Sequence, residues 1–247
     1  MHIRVLRGTC RVGRYTSMIK ERTYRTFRHH EAVFRICCDR FEAVTAEIVR
    51  QRRILEDYIG RHPEFRCSFE PVELLSDAPE VAQRMARAGR LVGVGPMAAV
   101  AGAMAQFACQ AGLEAGAEEA IVDNGGDIYL RAAEPVFIGL GIGTVELADR
   151  LAFSLKADDT PISICSSSGK MGHSKSLGEC DLATAVARDG ALADAAATQA
   201  ANLVRSVGDV DAALERIAAI EGIEGVMIIK NDRVGLAGQL PPLARIC

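Results

Sequence analysis

The stretch Val122-Asp123-Asn124-Gly125-Gly126-Asp127-Ile128-Tyr129 constrains the fold of this chain more than any other. An apolar run, Ala120-Ile121-Val122, stops at an acid, an amide and a Gly-Gly pair, and Ile128-Tyr129-Leu130 resumes it. Asn-Gly and Gly-Gly are tight-turn signals because they tolerate positive φ, so the two runs predict paired antiparallel strands. A plain hairpin needs no carboxylate on both sides of its turn. Asp123 and Asp127 stand where two residues without side chains would let a ligand approach the backbone. The pattern fits a phosphate or metal site, and it also fits an ordinary solvated hairpin tip.

The chain has 247 residues, 49% of them hydrophobic and 25% charged, which is the balance of a globular protein with one large domain or two small ones. A net charge of −3 gives no basis for nucleic-acid binding. The first 60 residues are rich in Arg, either as a basic face for an anionic ligand or as solvated groups paired with nearby Glu. The start, Met1-His2-Ile3-Arg4-Val5-Leu6-Arg7, lacks the apolar run of a signal peptide. No window approaches the ~18 consecutive apolar residues of a membrane helix. The eight Cys are scattered without a Cys-x-x-Cys pair, which argues against zinc and against a disulfide framework. A cytoplasmic location is therefore expected, with no membrane and no nucleic-acid partner.

Alternating apolar positions over 14–38 predict a hairpin or meander, and 42–60 reads as an amphipathic helix ended by Gly60 and Pro63. Residues 64–75 read as one or two strands broken by Pro71, followed by a helix near 79–90 with Asp77 as its N-cap. A buried helix of small residues is expected over 97–115, strands over 119–131 and 136–142, and an apolar stretch at 151–156. The C-terminal part predicts helices over 190–207 and 209–221 and strands over 224–230 and near 233–237.

Three further stations carry chemistry. Gly93-Val94-Gly95-Pro96 feeds the helix that begins at Met97, and free N–H groups at a helix start suit an anion, although a simple loop-to-helix junction reads the same way. The run Ile162-Ser163-Ile164-Cys165 ends in Ser166-Ser167-Ser168-Gly169-Lys170-Met171-Gly172-His173-Ser174-Lys175, dense in donors for phosphate, or else a flexible polar loop. In Gly190–Asn202, Asp194, Thr198 and Asn202 recur every fourth residue on a helix otherwise too apolar for the surface. A polar stripe on a buried helix must be satisfied by something. A carboxylate and a hydroxyl so spaced can both bind a hard cation such as Mg²⁺, unless Asp194 merely caps the first turn.

These stations resemble, in order, the signatures of the ApbE superfamily of FAD-dependent protein flavinyltransferases. Asn124-Gly125-Gly126-Asp127-Ile128 is similar to the family's Gly-Gly-Asp turn, Ser166-Ser167-Ser168-Gly169 to its Thr-Ser-Gly segment, and Ala193-Asp194-Ala195-Ala196-Ala197-Thr198 to its magnesium segment. The match spans roughly 90–205. A shorter, uncharacterised cytoplasmic branch of the superfamily is similar over nearly the full length, including Tyr58-Ile59-Gly60-Arg61-His62-Pro63-Glu64-Phe65 and Gly172-His173-Ser174-Lys175-Ser176. The resemblance implies an α+β fold of antiparallel sheets covered by helices, related to the T-fold. It implies a single domain over 1–247, with a strand–helix–strand part (1–78) and a ligand-site core (79–247).

By the same resemblance, Mg²⁺ is expected on Asp194 and Thr198, with FAD as substrate or ligand. Gly95, Met97, Asn124, Gly125, Gly126, Asp127, Ser166, Ser167, Ser168, Gly169 and Ser174 are its expected contacts. His173 and Asp127 are the catalytic candidates, with Tyr129, Phe107, Phe137 or Met97 against the flavin ring. Expected partners are a small-molecule flavin or nucleotide and an acceptor protein, and sheet edges and small-residue helices are compatible with a homodimer. The chain departs from the transferases in lacking their Lys-Gly before the turn and their Asp-Pro segment after the Ser loop. The readings are thus an enzyme that transfers FMN or cleaves FAD to FMN and AMP, a non-catalytic flavin or nucleotide binder, and an unrelated small-molecule enzyme on the same scaffold.

Overall fold

A computed structural model describes residues 2–5, 9–12, 15–18, 22–141, 151–169 and 178–246. Two antiparallel sheets organise them. The larger runs β13 (Arg233–Gly238), β12 (Ile223–Lys230), β11 (Leu182–Ala187), β10 (Ile162–Ser167), β7 (Asp127–Arg131), β6 (Ala120–Asn124), β5 (Ala32–Cys38), β4 (Arg25–His29). The smaller runs β1 (His2–Val5), β8 (Val136–Gly141), β9 (Leu151–Leu155), β14 (Leu243–Ile246), β2 (Thr9–Val12), β3 (Tyr15–Met18).

Alternation along the central strands gives the large sheet two apolar faces. Val122, Tyr129, Cys165 and Ala185 point to one side, into a core shared with α1 (Phe41–Arg61), α3 (Glu80–Val92), α4 (Val100–Glu114) and α5 (Gly190–Leu203). Ile121, Ile128, Ile164 and Leu182 point to the other, against Ile138, Leu140, Phe153 and Leu155 of the small sheet. The layers are therefore helices, large sheet, small sheet, the expected α+β architecture. Because β5 pairs with β6, the large sheet joins the stretch before residue 78 to the stretch after it.

Several local expectations change. Residues 64–67 form the short helix α2 (Glu64–Cys67), and no strand follows through 75. Phe65 is fully buried with its ring edge-on to Tyr58 at 5.2 Å, so packing on α1 overrides an extended course. Asp77 does not cap α3. It pairs with Arg61 at 2.6 Å, and the N-cap is Pro79. The strands β1, β2 and β14 had no counterpart in the periodicity. No single helix among the described residues is long and apolar enough to cross a membrane; α3 joined to 96–114 passes that test, but across a 105° bend.

Candidate functional site

The Gly125-Gly126 turn closes β6 and β7 with Asn124 opposite Asp127, and both glycines take positive φ (71° and 113°). Side chains at a two-residue turn there would strain the backbone, so both glycines have a conformational reason apart from any ligand. The register also separates the two acids. Asp127 shares the helix-covered face with Asn124, whereas Asp123 lies one residue earlier and points to the opposite face. There Asp123 accepts from Gly126 N–H at 3.0 Å and sits 3.7 Å from Arg35. Burial nevertheless raises Asp123 to about 6.

On the helix-covered face α4 and α5 cross directly over Asp127, and each satisfies the other's end. Asp194 Oδ2 accepts from Gly102 N–H at 2.9 Å, in the first turn of α4. Gln106 Oε1 of α4 accepts from Gly190 N–H at 2.7 Å, the first residue of α5. Asn124 Nδ2 donates to Ala101 O at 3.2 Å, which ties the hairpin to the same helix end. The approach is close enough that a Cβ on Gly102 would collide with the Gly190 carbonyl. The cap of α5 itself is Asp189, whose carboxylate accepts from Leu192 N–H at 3.0 Å. Asp194 therefore caps a neighbouring helix rather than its own.

Asp194 is buried and Asp127 half-buried, and their two carboxyl groups interact. Burial first, and then the Asp194 charge, raise Asp127 well above the ordinary carboxylate range. Burial raises Asp194 to about 7, against which the Gly102 and Ala101 N–H groups act. Asp127 Oδ1 is shielded from solvent and has no hydrogen-bond partner among the described residues. An orphaned buried carboxylate oxygen beside a second carboxylate is the arrangement a cation would stabilise. Thr198, four residues along α5 from Asp194, is half-buried. Among the described residues no group of three or more His, Cys, Asp or Glu is placed to hold a metal. Two carboxylates and a hydroxyl suit Mg²⁺, which keeps several of its waters.

The serine segment divides between the two faces. Ser167 alternates with Cys165 toward the helices, whereas Ser166 points to the small sheet and bonds Thr184 Oγ1 at 2.8 Å. Ser168 is buried, and its hydroxyl lies 3.5 Å from Cys180 O. Gly169 N–H donates to the same carbonyl at 2.8 Å, and a Cβ on Gly169 would collide with Gly178. Gly95 donates its N–H to Phe69 O at 2.8 Å and faces the Ser68 carbonyl, and Met97 follows in a 3-10 turn, Pro96–Ala99, ahead of α4. His173 and Ser174 lie outside the described residues. The fold thus gathers Asn124, Asp127, Ser167 and Asp194 on one face and leaves Ser166 and Asp123 on the other. Of the aromatic candidates, Tyr129 and Phe107 lie in the helix-side core, and Phe137 lies on β8 of the small sheet. Sequence reasoning missed Gly102, Gly190, Gln106 and Cys165. The only signal was a Gly in each of two alanine-rich helices, which marks a close crossing.

Comparison with known proteins adds the lineage. The family model described as AbpE bacteria matches residues 25–236. The chain belongs to this family. It is 38% identical over 227 residues to a UPF0280 protein of Archaeoglobus fulgidus, covering 88% of this chain and 93% of that one. It is 39% identical over 210 residues to UPF0280 protein MJ1526 of Methanocaldococcus jannaschii, covering 83% and 85%. Among solved structures it is similar to the flavin transferase ApbE of Vibrio cholerae, with TM-score 0.54, 13% identity, and 88% and 96% of the two chains covered. The ApbE protein of Thermotoga maritima gives TM-score 0.54 at 12% identity, over 91% and 97%. At those identities the likeness establishes the fold.

Proposed function

We propose that this ApbE-like protein binds FAD with Mg²⁺ and acts on its pyrophosphate, transferring FMN to a protein hydroxyl or to water and releasing AMP. The observation that carries the reading is the orphaned Asp127 Oδ1 beside Asp194, under the crossing of α4 and α5. Bound Mg²⁺ would supply charge neutralisation on the phosphates. Asp194 and Thr198 would hold it, with Asp127 offering its free oxygen to the same centre. The Gly125-Gly126 turn and Ser167 would border the nucleotide, with Asn124 fixing the turn to α4. The acceptor oxygen would form a bond to the FMN phosphorus as that phosphorus loses the bridging oxygen to AMP. The acceptor's proton would pass to a base, for which His173 is the candidate.

A second reading is a flavin or nucleotide binder without turnover. The transferase Lys-Gly and Asp-Pro segments are absent from the sequence, and Asp194 already occupies N–H donors at the start of α4. Incubation with FAD and Mg²⁺, followed by chromatography for FMN and AMP and by calorimetry, separates the two. AMP release that vanishes in Asp194→Asn supports the enzyme, binding without AMP supports the binder, and neither signal removes FAD as the ligand. Asn is the informative replacement because its carbonyl can still accept from Gly102.

A further inference from the structure

Asp123 is the acid of the hairpin turn that the proposed function does not use. It stands directly opposite Arg35 of β5 on the small-sheet face, with Oδ2 3.7 Å from the guanidinium, and its Oδ1 accepts from Gly126 N–H at 3.0 Å. Two glycines take positive φ without help, so the hairpin does not need this bond in order to turn. What the bond does is aim the Gly126 N–H toward the small sheet. The Gly125–Gly126 peptide is trans and planar, so its N–H and its carbonyl point in opposite directions. The Gly125 carbonyl is therefore turned to the helix-covered face, the side that Asp127 takes. Among the described residues no N–H or O–H donates to this carbonyl. Gly125 is exposed, with open space where a Cβ would stand. Hard cations take oxygen ligands, backbone carbonyls among them.

We propose that Asp123 is a positioning residue: by accepting the Gly126 N–H on the small-sheet face it turns the Gly125 carbonyl to the helix-covered face, as an oxygen ligand for the cation. The two acids of the turn then have different tasks. Asp127 offers an oxygen of its own, and Asp123 presents a backbone oxygen from behind the hairpin. Arg35 stands by Oδ2, which leaves Oδ1 to the turn. The role does not depend on the charge of Asp123, because a carboxyl group keeps an acceptor oxygen for an N–H whether or not it is ionised. The carbonyl's part in metal binding rests on the magnesium reading above, but the orientation of the peptide does not.

Gly125-Gly126 is the only Gly-Gly pair in the sequence. Protein made by cell-free synthesis with glycine labelled with ¹³C at the carbonyl and with ¹⁵N therefore holds a single directly bonded ¹³C–¹⁵N pair. NMR reads the Gly125 carbonyl and the Gly126 amide from it alone. Without metal, the Gly126 amide proton should move upfield in Asp123→Ala and stay near its native position in Asp123→Asn, whose side-chain carbonyl still accepts. An unmoved proton in folded Asp123→Ala overturns the orientation. With Mg²⁺ added to saturation, followed by calorimetry, the Gly125 carbonyl carbon of the native protein should shift. A carbon that stays in place although Mg²⁺ binds overturns the carbonyl's role, and no variant is needed to show it. Asp123→Ala should bind Mg²⁺ about tenfold more weakly, the lower end of what a partner of a metal ligand contributes, and Asp123→Asn should recover most of that loss. Native-like Mg²⁺ affinity in folded Asp123→Ala overturns the positioning role. Native protein that takes up no Mg²⁺ defeats the magnesium reading and the carbonyl's role with it, a result distinct from uptake with an unmoved carbon.

Discussion

Two buried polar clusters, one under α1 and one under the α4–α5 crossing, come from equally conspicuous sequence motifs and end in opposite states. In Tyr58-Ile59-Gly60-Arg61-His62-Pro63, the fully buried Tyr58 hydroxyl accepts from Leu75 N–H at 3.2 Å and bonds His62 Nδ1 at 3.1 Å. Phe65 closes the cluster edge-on, and the Tyr58 hydroxyl is matched from within the chain. Arg22 is settled the same way, bidentate to Glu119 at 2.8 and 2.7 Å and donating to the carbonyls of Pro135 and Glu134. At Asp127 and Asp194 the chain instead brings two carboxylates together and leaves one oxygen without a donor. Folding alone gains nothing from that arrangement. A saturated cluster holds the fold, whereas two neighbouring carboxyl groups with an oxygen unmatched suit a cation from outside.

Removing charge from a saturated cluster should damage the fold and nothing else. Arg22→Ala would leave Glu119 half of a broken buried pair and cost about 3–5 kcal/mol in urea unfolding. A cost near zero would place Arg22 outside the structural group. The unsaturated cluster should behave in reverse. Asp194→Asn is expected to weaken Mg²⁺-dependent FAD binding by more than about 100-fold, since even partners of metal ligands contribute about 10–100-fold. Its melting temperature without metal should stay level or rise, because one buried like charge is gone. Tyr58→Phe removes the acceptor of Leu75 N–H and the partner of His62 Nδ1 and should lower stability by about 1–3 kcal/mol while FAD binding is unchanged. Altered binding in that variant would merge the two clusters into one.

The smallest effect is on pH. Asp194 is raised from 3.8 to about 7, so the folded state holds its proton more tightly than the unfolded chain does. That contribution is complete below about pH 4 and is lost as pH rises through 7. Metal-free protein should therefore melt progressively earlier across that window, and Mg²⁺ should restore more of the melting temperature at the alkaline end. In Asp194→Asn the Mg²⁺-dependent part should vanish, with a residue left from Asp127, raised chiefly by its own burial, and from Asp123, raised to about 6 on the other face. Equal Mg²⁺ effects at both ends would argue that the cation binds elsewhere.

Much of the large sheet and its helices was legible, because period-2 and period-3.6 patterns report burial directly. The hairpin at 125–126 and the helices over 41–61, 80–92 and 190–203 follow the expected courses closely. The strands of four residues at 2–5, 9–12 and 243–246 were not legible, since too few positions alternate and each has a partner far along the chain. The motif residues of the candidate site were legible one by one, but not the face each would take. One residue of register separates Asp123 from Asn124, and one separates Ser166 from Ser167, and each step reverses the face.

The sequence by itself determined that Gly125 and Gly126 form the turn, that α5 carries an acid and a hydroxyl every fourth residue, and that both flanking helices are small enough to be buried. Those are local properties of backbone freedom and side-chain volume. Only the tertiary structure decided that Asp194 would cap α4, that Gln106 would cap α5 in return, and that Asp127 would lie beneath the crossing with an oxygen unmatched. The reason is that hydrogen-bond saturation is a sum over neighbours. Neighbours 92 and 84 residues apart along the chain are supplied by packing and not by sequence.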